Sequence, residues 1–126
     1  MRIQLRRLTE KDRFALTGII DRETAEWAKI PYPFTKEVAE NFILNYNTFG
    51  IWIAGSMMVG AIEIKEDCET AYFIHKNFRN MGLATKAVQM ILDYYADRQL
   101  FALINPNNKA SLRVAQKAGM RVKFID

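Results

Sequence analysis

The run Tyr72-Phe73-Ile74-His75-Lys76-Asn77-Phe78-Arg79-Asn80-Met81-Gly82-Leu83-Ala84-Thr85 gathers the residue types most able to do chemistry. An apolar, β-rich segment gives way to a short polar loop, and the loop opens into a helix-forming stretch. The first amides of a helix lack internal acceptors and sit at the positive end of its dipole. Small residues there let an anion approach the backbone N–H groups. Gly82 and Ala84 are such residues, and Arg79 adds a cation. A phosphate-bearing ligand is the chemistry this spacing favours, although the same residues can also make a plain glycine-containing helix start. Neither common nucleotide loop fits. No Lys-Ser/Thr pair follows a glycine run, and no three-glycine fingerprint is present.

The other reactive side chains are scattered. His75 is the single histidine and Cys68 the single cysteine. One cysteine closes no internal disulfide and suits a reducing compartment, and a free cysteine usually behaves as a small hydrophobe. No metal is expected, because Cys68, His75 and the carboxylates lack ligand spacing. No nucleophile elbow surrounds any serine, so a Ser–His–Asp hydrolase is not indicated.

The elements that must position the loop follow from periodicity. Ile3, Leu5 and Leu8 predict a first strand. Thr9-Glu10-Lys11-Asp12 is a capping-box pattern and predicts a helix running toward Ile20. Asp21 to Ala28 adds a turn or two, ended by Pro31-Tyr32-Pro33. Thr35 is a second N-cap, after which Val38, Ala39, Phe42, Ile43 and Tyr46 share a helical face. Phe49–Ala54 and Met58–Ile64 read as a hairpin about Gly55-Ser56. Glu69–Ile74 is a strand, and Ala84, Ala87, Val88, Ile91, Leu92 and Tyr95 mark an amphipathic helix. Leu100–Ile104 is a short strand, Asn107 or Asn108 caps a helix ending at Gly119, and Met120–Ile125 is a last strand. The hairpin needs antiparallel neighbours, whereas the strand–helix–strand passages need parallel ones. The expectation is an α/β (α+β) domain spanning 1–126, with a mixed central sheet flanked by helices.

Composition agrees with that size. The chain has 126 residues, 50% apolar and 25% charged, enough for one core and too balanced for disorder or low complexity. Its net charge of +4 suits an anionic ligand, yet the basic residues form no run like a nucleic-acid arm. The apolar stretch around Ile51–Ile62 is too short to span a membrane, and the N-terminus lacks a signal-peptide core. A cytoplasmic location is expected, with no nucleic-acid or membrane partner.

Two motifs carry a family resemblance over nearly the whole chain. Arg79-Asn80-Met81-Gly82-Leu83-Ala84 resembles the Gln/Arg-x-x-Gly-x-Gly/Ala pyrophosphate loop of the GNAT superfamily of N-acetyltransferases. Asn108-Lys109-Ala110-Ser111, continuing to Gln116-Lys117-Ala118-Gly119-Met120, looks like that family's Asn-x-Ala-Ser…Glu-Lys-x-Gly-Phe/Met helix. Ser111, with Trp27 and Pro31–Thr35 upstream, is similar to the ribosomal-protein N-terminal acetyltransferase (RimJ/RimL-like) branch. The resemblance implies acetyl-CoA as cosubstrate, with acetyl passing directly to a primary amine, either a protein N-terminus or a small amine. The alternative is a catalytically degenerate CoA-binding module.

Roles follow as what the resemblance implies. Amides of Met81, Gly82, Leu83, Ala84 and Thr85 hold the pyrophosphate with Arg79, and the backbone of Phe73 and Ile74 pairs with pantetheine. Asn105 and Asn108 contact pantetheine or adenylate; read alone, each is a helix cap. Ser111 protonates the leaving thiolate, since Ala115 stands where many members carry a tyrosine; read alone, it is a first-turn serine bonding its backbone. Glu69 is the base on the amine-pocket strand, or a solvated edge residue beside Asp67. An α-amine asks little of that base, because freeing it costs ~3.5 kcal/mol less than freeing a lysine amine. Trp27, Tyr32 and Phe34 line the acceptor pocket, or are simply core. The family also implies one further strand between Leu100–Ile104 and Met120–Ile125. Without it, Met120–Ile125 takes the slot by a parallel crossover, or a second copy covers the open edge in a homodimer.

Overall fold

A computed structural model describes residues 2–45 and 47–125, so Tyr46 of the expected helical face lies outside the described residues. Strands β1 (Ile3–Arg7), β2 (Asn47–Ile53), β3 (Met57–Ile64) and β4 (Thr70–Ile74) form an antiparallel sheet in that order. β5 (Phe101–Ile104) and β6 (Arg121–Phe124) form a parallel pair. Between β1 and β2 run α1 (Arg13–Thr17), α2 (Arg22–Ala28) and α3 (Lys36–Asn45). α4 (Leu83–Tyr94) links β4 to β5, and α5 (Lys109–Ala118) links β5 to β6. The sheet is therefore mixed, with parallel strands where helices make the crossovers. β6 pairs with β5 through α5, the first of the two arrangements open in the sequence.

Local chemistry explains the boundaries. Asp12 accepts from the Thr9 backbone N–H at 2.9 Å, completing the reciprocal half of the capping box. The helix that follows stops at Thr17 rather than Ile20. Thr17 turns its hydroxyl back onto Phe14 O at 2.6 Å, and Gly18 favours no continuation. Ile19 and Ile20 enter the core from outside the helix. Asp21 caps α2 through the Thr24 N–H at 2.8 Å, and the Thr35 hydroxyl accepts from the Val38 N–H at 3.3 Å. The hairpin turn is Ala54-Gly55-Ser56, with Ala54 and Gly55 both left-handed at φ of 51° and 77°. Gly60 is required on packing grounds, because a Cβ there would clash with the Phe73 carbonyl.

The sheet separates two packings. α4 and α5 cover one face, where Ile51, Ile62, Ile64, Val88 and Ile91 are almost wholly buried. α1 and α3 cover the other, over Ala61 and Phe73, with Leu16, Phe34 and Phe42.

Candidate active site

β4 and β5 run parallel but touch only at their starts. Glu69 bridges Phe101, and the Phe101 N–H donates to Cys68 O at 3.1 Å. Beyond that bridge the strands belong to separate sheets, leaving a split closed at the Glu69 end. Such a split presents unpaired strand edges to an extended ligand. Phe73 and Ile74 lie along one wall; their antiparallel partners on the other side are Ala61 and Gly60 of β3. Leu103, 43% exposed, lies on β5 opposite.

At the open end the chain turns into α4. Asn80 and Gly82 are both left-handed, at φ of 63° and 78°, and Gly82 is the helix N-cap. Left-handed residues at such spacing are a backbone pattern that can present amides to an anion. A Cβ built on Gly82 meets nothing within 4 Å, so the space over the first turn is open. Met81 and Gly82 are exposed, Ala84 and Thr85 half-buried, and Leu83 buried as the anchor of the turn. These residues fit a pyrophosphate.

Arg79 is not aimed there. Its Nε donates to Ile74 O at 3.0 Å, and Nη2 reaches Asp21 Oδ2 at 3.1 Å and Thr24 Oγ1 at 3.0 Å. The guanidinium clamps the end of β4 to the start of α2, a structural job beside the expected phosphate contact. Burial pushes the Asp21 carboxyl up, but bonds from Thr24 and the Arg79 charge outweigh it and hold it below the ordinary value.

Ser111 stands in the first turn of α5, half-buried. Its hydroxyl donates to Tyr72 Oη at 3.0 Å, and the Tyr72 hydroxyl donates to the Ser111 carbonyl at 2.7 Å. Burial pushes the Tyr72 phenol up, opposed by the Ser111 bond. The phenol thus stays protonated and able to donate. Sequence reading took Tyr72 only as a strand residue; an aromatic with a polar tip facing a helix was the available signal. Asn108 caps α5, accepting from the Ser111 N–H at 3.3 Å, and Asn105 accepts from the Asn107 N–H at 2.9 Å. Both asparagines have a structural job beside any ligand contact.

Glu69 is set by a tight turn. The Lys65 N–H donates to Glu69 O at 2.9 Å, the Glu69 N–H donates to Asp67 Oδ1 at 2.9 Å, and Cys68 is left-handed at φ 76°. The Glu69 carboxylate pairs with Lys65 Nζ at 3.4 Å. Glu69 and Ser111 lie on opposite faces of β4 and do not meet. Among the acceptor candidates, Phe34 is only 5% exposed and packs edge-on against Phe42 at 5.8 Å, so it belongs to the core rather than an open pocket. Tyr32 is exposed with Arg22 over its ring at 5.0 Å, and Trp27 is exposed on α2. His75 caps a single 3-10 turn through Nδ1, accepting from the Asn77 N–H at 3.1 Å. Among the described residues, no group of three or more His, Cys, Asp and Glu could hold a metal ion, and no helix is long and apolar enough to cross a membrane.

A parallel split closed at one end and opening onto an amide-lined helix start defines a class of enzyme that lays an extended, phosphate-bearing cosubstrate between two strands. Residues 2–121 match the model of the acetyltransferase (GNAT) domain, and the chain belongs to that family. It is 28% identical to protein YkkB of Bacillus subtilis (strain 168), over 94% of this chain and 81% of that one. The crystal structure of an acetyltransferase (GNAT family) from Bacillus anthracis superposes with a TM-score of 0.81 at 26% identity, covering 96% of this chain and 81% of that chain. Spermidine N-acetyltransferase from Vibrio cholerae, solved with CoA and spermine, shares the fold at 16% identity and a TM-score of 0.75, covering 93% of this chain and 79% of that one.

Proposed function

We propose that the protein is a single-domain, cytoplasmic acetyltransferase that moves acetyl from acetyl-CoA to a primary amine. The observation that carries this reading is the β4–β5 split running into the open space over Gly82. Amides from Met81 to Thr85 would bind the pyrophosphate, and the backbone of Phe73 and Ile74 would pair with pantetheine. One of those amides would polarise the thioester carbonyl. Tyr72 and Ser111 stand ready to protonate the departing sulfur, and Glu69 with its Lys65 partner marks the acceptor side. The motifs quoted above favour the RimJ/RimL-like branch and hence a peptide or protein α-amine, with Trp27 and Tyr32 as exposed contacts. The V. cholerae neighbour's complex makes a polyamine the second substrate class to try. A second copy pairing along β6 belongs to the same reading, and light scattering tests it. Ser111→Ala tests the enzymatic reading: loss of turnover with CoA binding retained supports it. A wild-type protein that binds CoA and acetylates neither a peptide nor spermidine supports a binding module instead.

A further inference from the structure

Among the described residues, Glu63 is the one carboxylate of the core. It sits in the middle of the sheet, on β3, only 4% exposed, and its Oε2 has no hydrogen-bond partner. A buried, unpartnered carboxylate oxygen costs free energy, so a fold that keeps one needs a donor the chain itself does not supply. Position decides what that donor is. Glu63 alternates with Ile62 and Ile64, so it faces the α1–α3 side with Ala61. Directly across on β4 is Ala71, a side chain too small to wall it off from the split, and β4 lies one strand spacing away, ~4.8 Å. Thr48 is opposite on β2. Lys65 and Glu69 follow on the same face, and their charges act on Glu63 in opposite senses. From α1 and α3 the half-buried charges are Arg13 and Glu40, which pair with each other at 3.2 Å.

We propose that Glu63 is the catalytic base, the group that receives the acceptor's ammonium and takes its proton, while the Lys65–Glu69 pair is a positioning device at the closed end of the split. This deepens the acetyl-transfer reading and rests on it. The acceptor's N–H supplies the missing donor to Oε2, and Glu63 removes one proton from the ammonium. The freed nitrogen pair attacks the thioester carbonyl; the C–N bond forms, the C–S bond breaks, and its electron pair leaves on sulfur. The second nitrogen proton passes to water as the product amide forms, and sulfur gains its proton from the Tyr72–Ser111 hydroxyls on the opposite face, which are reprotonated from water. Glu63 then returns its proton to water. Burial, partly offset by Lys65 and reinforced by Glu69, pushes its carboxyl up to about 7, where a base works best near neutral pH.

The test compares wild type with Glu63→Gln and Glu69→Gln, using acetyl-CoA with spermidine and with a peptide bearing a free α-amine. Calorimetry with acetyl-CoA comes first: absence of binding in the wild type defeats the acetyltransferase reading itself. With binding intact, Glu63→Gln is expected to lose about 100-fold in kcat and the rise of rate through about pH 7, and Glu69→Gln to keep that rise. A Glu63→Gln enzyme with the wild-type pH profile overturns the assignment. A second readout needs no acceptor. The carbon-13 carboxyl signal missing from Glu63→Gln should titrate near 7 and move when acetyl-CoA binds. A midpoint in the ordinary glutamate range, or a signal indifferent to acetyl-CoA, overturns it and marks Glu63 as a structural acid bridged by water.

Discussion

Ile62 and Glu63 are successive residues of β3 that face opposite sides of one sheet. Ile62 is fully buried under α4 and α5, among side chains that ask only for volume. Glu63 is almost as buried under the other face, where Thr48 lies across from it and the Lys65–Glu69 pair follows. The first face is a core in the ordinary sense. The second has an apolar half, built on Phe34, Phe42 and Phe73, and a polar half that begins where the split closes. Stability is therefore unevenly spread: one face accumulates it, and the other gives some up to hold a carboxylate with one unpartnered oxygen.

Ile62→Ala leaves a cavity and should cost about 4 kcal/mol in a urea titration. Gly60→Ala drives a methyl onto the Phe73 carbonyl and should cost about 3 kcal/mol, with β4 displaced and acetyl-CoA binding weakened as well. Glu63→Gln should have the opposite sign. A carboxyl raised from 4.5 to about 7 keeps its proton in the folded state while the unfolded chain has lost it. Stability is then greatest below the unfolded value, declines as pH rises, and levels off above about 7. Removing the charge should flatten that decline and raise stability at pH ~8 by on the order of 2 kcal/mol, seen as a higher Tm. Asp21→Asn is the smallest change, about 1 kcal/mol or less, because its pair with Arg79 is one-third exposed. Its clearer effect should be on acetyl-CoA affinity, through loosening of the loop that Arg79 clamps.

Legibility in the sequence followed the range of the interaction. Gly82, Gly119 and the α4 stripe act within a few residues and were readable from spacing alone, whereas spacing left the α5 cap as Asn107 or Asn108 and the structure selects Asn108. The hairpin and the crossovers were readable too, since turn chemistry and connection length set strand direction. Glu63 was not. It falls inside a run of strand residues, and only the pairing of β3 with β4 and the covering helices show that it is buried opposite Ala71. Tyr72 and Ser111 lie 39 residues apart and meet only through the packing of α5 on β4. Arg79 was readable as a cation beside a phosphate loop, yet its partner Asp21 is 58 residues away, and that long-range pair redirects it. Phe34 was open between pocket wall and core, because aromatic spacing near a proline turn does not distinguish the two; its 5% exposure favours core.

The central claim is that the split and the Gly82 turn together hold acetyl-CoA. The direct measurement is a thermal-shift titration with acetyl-CoA on wild type and on Gly82→Val, with ATP and NAD as controls. A β-branched residue at this left-handed position strains the loop and fills the open space above α4. At ligand roughly a hundredfold above Kd, binding should stabilise the wild type by about 2.7 kcal/mol, several degrees in Tm. That shift is expected for acetyl-CoA alone, and its loss in Gly82→Val. A folded wild type that does not respond, or a variant that responds equally, would contradict it.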